Sequence, residues 1–231
     1  MQGLRKVYSG NGFSVEALRG VSFEINQGEF AIIAGPSGCG KSTLLNLIGL
    51  LDTPTAGHII IDGVDTNRLS ERQRTGLRNQ KIGFVFQFFN LIPELTVIEN
   101  VMLPMLIKGI PSDRAKKESA GLLKMVGLGD KIHAGATQLS GGQMQRVAVA
   151  RGLSNEPAIL LADEPTGNLD SKNAQDIFNL MYELNEKNKQ TFVLVTHAPE
   201  LVGEADRTIT IKDGLIEKVE ANNGSSKKLK G

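Results

Sequence analysis

Several things are scarce in this sequence. Its 231 residues include one cysteine, two tyrosines and no tryptophan. A single thiol excludes an internal disulfide and suits a reducing compartment. No run approaches the roughly 18 apolar residues a membrane-spanning helix needs, and no charged-then-apolar leader opens the chain. Taken alone, the chain reads as soluble. Charge of one sign is also missing: 26 Lys and Arg against 25 Asp and Glu leave a net charge of +1. No global field therefore points to nucleic acid or to an anionic membrane. Only the end is skewed, where Asn222 to Gly231 reads as a solvated, disordered tail.

Against that background one stretch stands out, Gly35-Pro36-Ser37-Gly38-Cys39-Gly40-Lys41-Ser42. It follows the apolar run Phe30 to Ala34 and precedes Thr43-Leu44-Leu45-Asn46-Leu47-Ile48, which has helical character. Strand, glycine loop and helix in that order are what a phosphate-binding P-loop requires. The glycines let the backbone curl so that several N–H groups converge on one anion. The helix N-terminus adds its unpaired N–H groups and dipole. Lys41 supplies a charge for the β- and γ-phosphates, and Ser42 a hydroxyl for Mg²⁺. Glycine-rich turns with a stray lysine are common, but here every fixed position and both flanks match. The chain is expected to bind a nucleoside triphosphate.

Before this loop, Leu4 to Tyr8, Val15 to Leu18 and Val21 to Ile25 look extended, and His58 to Asp62 adds a strand after it. These predict an antiparallel sheet beside the nucleotide core. Tyr8 within it could stack on a base or serve as ordinary strand packing; spacing does not decide. Lys81 to Phe86 is an apolar strand ending at Gln87, which is either a ligand contact or the first residue of a loop. From Asn90 onward the pattern is helical. Thr96 to Glu99 fits a capping box, Pro104 interrupts the helix that follows, and Ser112 caps a second helix ended by Gly127.

Leu139-Ser140-Gly141-Gly142-Gln143 opens another helix with capping-box spacing. Two glycines in a first turn cost about 1 kcal/mol each relative to alanine, so they suggest that another backbone or a phosphate approaches closely. Ala158 to Asp163 reads as a buried parallel strand, with Asp163 and Glu164 at its carboxyl end. Beside a P-loop, Asp163 suits Mg²⁺ held through water, and Glu164 suits activation of an attacking water. An amphipathic helix bearing Ala174, Ile177, Phe178, Met181 and Leu184 follows Gly167 to Asp170. The strand Gln190 to Thr196 ends at His197, a candidate donor to the γ-phosphate. Arg207 to Lys212 and Leu215 to Val219 form a hairpin around Asp213-Gly214.

Taken together, these strings over about residues 1–220 resemble the nucleotide-binding subunit of an ATP-binding-cassette (ABC) transporter. The resemblance implies an α/β fold: a RecA-like P-loop NTPase core, an N-terminal antiparallel β subdomain and an inserted α-helical subdomain at roughly 90–153. One domain would span 1–221, with 222–231 as a flexible tail. It makes Gly35 to Ser42, with Thr43, the Walker A loop, and Gln87 the Q-loop residue that senses Mg²⁺ and water. Leu139 to Gln143 becomes the signature motif, Ala158 to Asp163 Walker B, Glu164 the catalytic base, Asp170 the D-loop aspartate and His197 the switch histidine. Tyr8 becomes the adenine-stacking aromatic. The implied cofactors are ATP and Mg²⁺. The implied partners are a second copy, with Ser140, Gly141 and Gly142 clasping a γ-phosphate in trans, and integral membrane permease subunits. The chain would then sit in the cytoplasm, peripheral on the inner face of the cell membrane.

Gly83 to Pro93 and Asp163 to Asp170 further resemble the lipoprotein-releasing and macrolide-exporting subfamily, which leans toward export. Cys39, Arg151-Gly152-Leu153 and His197-Ala198-Pro199 depart from the usual residues without removing a catalytic group. A bulky reagent on Cys39 is expected to block nucleotide binding. The rival reading, a soluble ABC ATPase acting on DNA or ribosomes, lacks a basic face and a second cassette. No nucleic-acid partner is expected.

Overall fold

Short apolar runs build the central sheet of the computed structural model, which describes residues 1–10, 12–196 and 204–222. In chain order the strands are β1 (Gln2–Gly10), β2 (Phe13–Val21), β3 (Phe30–Ala34), β4 (Ala56–His58), β5 (Ile60–Ile61), β6 (Val64–Asp65), β7 (Ile82–Phe86), β8 (Ile159–Asp163), β9 (Thr191–Val195), β10 (Arg207–Lys212) and β11 (Leu215–Ala221). The α-helices are α1 (Lys41–Ile48), α2 (Glu71–Lys81), α3 (Val97–Ile107), α4 (Ser112–Met125), α5 (Gly141–Leu153) and α6 (Ser171–Asn188). Six strands form the main sheet in the order β11-β10-β3-β9-β8-β7, parallel except for the closing β10–β11 hairpin. β2, β1 and β4 form a separate antiparallel sheet.

Period-two alternation along the buried strands divides the core. Phe30, Ile32, Leu160, Ala162, Phe192 and Leu194 face one cluster with α3 to α6. Ala31, Ile33, Leu161, Val193 and Val195 face the other, with α1 and residues of the N-terminal sheet. The sheet is thus sandwiched, as its unbroken apolar strands require. α5 comes unusually close to β7: a Cβ on Gly83 would lie 2.1 Å from the Gly152 carbonyl oxygen. The departure to glycine at position 152 is part of this contact, since a Cβ there would meet Leu160 at 2.7 Å and the Phe84 oxygen at 3.1 Å.

Most expected elements are present, with several differences. Val21 to Ile25 is not a strand of its own; β2 ends at Val21. The strand expected from His58 to Asp62 is divided between β4 and β5. Pro104 lies inside α3 without ending it, and its carbonyl accepts from Lys108 N and Asn155 Nδ2. Pro111, not Ser112, holds the cap position of α4, and no side chain caps it. α2 was not expected, because it offers almost no apolar stripe; Arg74 is its one buried residue. Its sequence trace is the capping box from Ser70 to Gln73. At the other end, Asn222 is tied into the fold through Ala205, Asp206 and Thr208.

Candidate functional site

Cross-strand register assembles the site. Val195 pairs with Ile33 and with Asp163, and Asp163 pairs with Phe86. These four form one row across four parallel strands, so the next residue on each strand lies on the carboxyl rim. That rim carries Ala34 leading into the P-loop, Thr196, Glu164 and Gln87. In open α/β sheets this is the edge where ligands bind. Chain order alone, with these strands scattered from residue 30 to 195, does not reveal that arrangement. His197 lies outside the described residues.

In the P-loop, Pro36, Ser37 and Gly38 form an exposed crest, while Lys41 is 4% exposed. Its Nζ donates to the carbonyls of Gly35 and Pro36, both at 2.8 Å, which holds the ammonium across the loop. Gly40, at φ 108°, is the cap of α1, and a Cβ there would meet the Ala17 oxygen at 2.5 Å. Gly35 (φ 148°) is pressed still more closely, since a Cβ there would meet the Ile211 oxygen at 2.1 Å. Ser42 is exposed at the start of α1 and Thr43 half-buried beside it. Cys39 differs from expectation. Its side chain is 4% exposed and lies in the core cluster with Leu44, Leu18 and Ile211. The thiol is buried and not presented on the exposed crest of the loop.

Tyr8 stands over the same helix. Its hydroxyl donates to Asp52 Oδ2 at 2.9 Å. Lys6 Nζ bonds to Asp52 Oδ1 at 2.6 Å and sits 4.8 Å from the ring centroid. Burial and the Asp52 hydrogen bond both raise the Tyr8 hydroxyl above its ordinary pKa. Lys6 and Asp52 escaped the sequence reading, since nothing in their spacing links them to Tyr8.

Glu164 adopts a left-handed backbone, φ 45°, immediately after β8, fixed by N–H donation to Val195 O and by the Gly167 N–H donated to its own carbonyl. A non-glycine residue in this region costs about 1–2 kcal/mol. Such strain collects where a side chain must be aimed. Gln87 exchanges two hydrogen bonds with Asn168. Past it, Phe89 and Asn90 are both left-handed (φ 60° and 51°), and the Arg151 guanidinium donates to both of their carbonyls. Burial lowers the Arg151 pKa from its ordinary value. Arg151 is therefore a buttress for the loop carrying Gln87, a role that its place in the sequence did not disclose.

Ser140 caps α5 with the expected box: Gln143 N donates to Ser140 Oγ, and Ser140 N to Gln143 Oε1 at 3.0 Å. The glycine pair has neighbours in its own chain. A Cβ on Gly142 would lie 2.6 Å from Asn173 Oδ1, and one on Gly141 would lie 3.3 Å from Leu169. Part of the demand for glycine is thus packing against the segment after Glu164. Asp170 caps α6, accepting from Asn173 N at 2.9 Å and from Asn173 Nδ2 at 2.6 Å, which keeps its carboxyl below the ordinary pKa. No hydrogen bond among the described residues joins Ser140–Gln143 to Gly35–Ser42.

The donors on the rim fit a small hard cation. The Ser42 hydroxyl, the Asp163 carboxylate and the Gln87 amide oxygen are all oxygen ligands. Among the described residues no group of three or more His, Cys, Asp or Glu could hold a metal.

The family model described as ABC transporter matches residues 18–167. A lipoprotein-releasing system ATP-binding protein LolD from Bacteroides thetaiotaomicron is 45% identical over 94% of this chain and 98% of its own length. A macrolide export ATP-binding/permease protein MacB from Syntrophobacter fumaroxidans is 48% identical over 94% of this chain, which spans 31% of that protein. The solved dimeric structure of a post-hydrolysis state of the ATP-binding cassette MJ0796, bound to ADP and Pi, superposes with a TM-score of 0.87. It is 45% identical and covers 96% of this chain and 98% of its own.

Proposed function

Because this chain belongs to the ABC transporter family of ATP-hydrolysing cassettes, we propose that it dimerises around two ATP molecules and drives a membrane permease of the lipoprotein-releasing or macrolide-exporting kind. The observation that carries the ATPase chemistry is the rim row, which brings the P-loop, Glu164 and Gln87 to one edge through strand register. Gly35 to Ser42 cradles the phosphates with backbone N–H groups and Lys41. Tyr8 offers its ring to the base. Ser42, Asp163 and Gln87 would hold Mg²⁺, which when bound would neutralise phosphate charge. Glu164 takes the proton from the attacking water, and its fixed backbone aims the carboxylate. His197 and Asp170 complete the site as the resemblance assigns them.

The trans half of the proposal rests on the capped, exposed Ser140 at the start of α5, a ready anion site, and on the dimeric relative. Coupling to a permease rests on the LolD and MacB relatives and on Phe88. That aromatic is 72% exposed on the buttressed loop next to Gln87, where movement at the site is passed to anything docked on it. No helix among the described residues is long and apolar enough to cross a membrane.

Glu164→Gln tests the core of this reading. With ATP the variant should elute at twice the monomer mass, with turnover lowered at least about 100-fold. Unchanged turnover removes Glu164 as the base. Capture of the tagged chain from its native membranes should bring an integral protein with it, and Phe88→Asp should abolish that capture while leaving ATP affinity intact. Recovery of ribosomal or DNA-bound partners instead would overturn the transport assignment.

A further inference from the structure

Gln87 and Asn168 lie 81 residues apart in sequence and share two hydrogen bonds: Gln87 Nε2 to Asn168 Oδ1 at 3.2 Å, and Asn168 Nδ2 to the Gln87 carbonyl at 3.1 Å. The backbone carbonyl can only accept, so the Asn168 amide must turn its nitrogen toward it. That leaves Oδ1 facing the Gln87 side chain, and an oxygen there can receive only Nε2. The orientation of the Gln87 amide is therefore determined: nitrogen on Asn168, oxygen at the opposite end. Gly167 gives a second, independent constraint. A Cβ at that position would lie 2.8 Å from Gln87 Nε2 and 3.2 Å from its Cδ. The amide lies across the bare Cα of Gly167, on a floor that any side chain would raise.

We propose that Gly167 and Asn168 form a seat for the Gln87 amide, and that Asn168 is a positioning residue for hydrolysis because it keeps Gln87 Oε1 as the end offered to the site. A glutamine amide is close to symmetrical in shape. Flipped, it would present N–H donors where a cation or the hydrogens of a water require an acceptor. The seat removes that alternative. It also ties Gln87 to the segment whose Leu169 and Asn173 lie under the two glycines that open α5. The inference rests on Gln87 being a site residue, and the test separates the two claims.

The experiment compares the full-length wild type with Asn168→Ala, Gln87→Ala and the double variant. Affinity for a fluorescent ATP analogue is measured in EDTA and in Mg²⁺, together with the Mg²⁺ dependence of turnover. Asn168 is exposed, so its alanine variant folds, which a thermal melt checks. The expected result for Asn168→Ala is unchanged affinity in EDTA and a Mg²⁺-dependent gain reduced about fivefold, the worth of one hydrogen bond. Turnover should require correspondingly more Mg²⁺. Gln87→Ala should lose at least as much, and the double variant no more than Gln87→Ala alone. If Gln87→Ala leaves the Mg²⁺ gain untouched, the reading of Gln87 itself fails and the seat fails with it. If Gln87→Ala removes the gain while Asn168→Ala keeps it, or if the two losses add, only the seat is overturned.

Discussion

Lys6 places its ammonium 4.8 Å from the centroid of the Tyr8 ring while bonding at 2.6 Å to Asp52, the same carboxylate that accepts the Tyr8 hydroxyl. The three side chains close a triangle that fixes the ring and covers one of its faces with charge. A base stacking on Tyr8 must use the other face.

Removing the carboxylate charge should loosen that triangle. Burial alone would raise the Asp52 carboxyl, but hydrogen bonds from Lys6, the Thr53 N–H and Tyr8 more than offset it and leave its pKa lowered. A lowered folded pKa stabilises the chain above about pH 4, and this is lost as the pH falls through the folded value. Tyr8 is shifted upward, so its contribution is complete below about pH 10 and lost as the pH rises through its raised value. Asp52→Asn is expected to bring Tyr8 back toward the ordinary range, to cost about 1–2 kcal/mol, and to weaken ATP binding several-fold. With two tyrosines and no tryptophan in the chain, a tyrosinate absorbance titration reads the shift directly. An unmoved titration would show that the Asp52 charge does not govern the ring.

Cys39 provides a check on the loop. Its buried thiol should react with a bulky disulfide reagent only when the chain opens, much more slowly than it does in denaturant. Added ATP should slow the reaction further. Immediate stoichiometric labelling of the native protein would contradict the inward packing of this side chain.

Gly142 separates packing in its own chain from contact with a partner. Gly142→Ala should destabilise the fold only modestly, by about 0.5–1.5 kcal/mol, because its Cβ would meet Asn173 Oδ1 at 2.6 Å and displace that side chain. Adding Asn173→Ala should restore much of that stability in urea unfolding. If the double variant still fails to dimerise with ATP, the glycine serves the partner's phosphate as well. If it dimerises normally, its requirement lies within one chain.

Gly83→Ala tests the close approach of α5 to β7. Its methyl would stand 2.1 Å from a backbone oxygen, which cannot rotate away as a flexible side chain would. A loss of about 1–3 kcal/mol is expected in thermal unfolding, with nucleotide affinity spared in whatever remains folded. A neutral effect would mean that the helix can lift from the sheet at little cost.

Local rules made much of the fold legible, although they misplaced the α4 cap at Ser112 and a break at Pro104. The P-loop, the capping boxes at Thr96 and Ser140 and the Asp213-Gly214 turn each carry their physics within a few residues, and the structure has all of them. α2 was not legible, because a helix that buries little apolar surface leaves little periodicity. In the site, Glu164 could be proposed from its strand end beside a P-loop, whereas the strand end left Gln87 open and only the family resemblance gave it a role. Lys6, Asp52, Arg151 and Asn168 could not be proposed, since each acts across a large sequence separation on a residue that only the folded chain brings near. The reason for the two glycines was half visible: a close approach was foreseen, but not Leu169 and Asn173 as neighbours that make it.

The β10–β11 turn also bears on how the chain is made. Gly214 donates to the Cys39 carbonyl and accepts from Arg19 N, while the Ile211 oxygen presses on Gly35. The phosphate cradle is thus braced by residues far downstream of it in the sequence. During synthesis at about 5–20 residues per second, a nascent chain carries the whole Gly35–Ser42 loop for many seconds before its brace leaves the ribosome. Nucleotide capture is expected to wait for residues 211–214, and a product truncated before residue 211 should hold the motif without holding ATP.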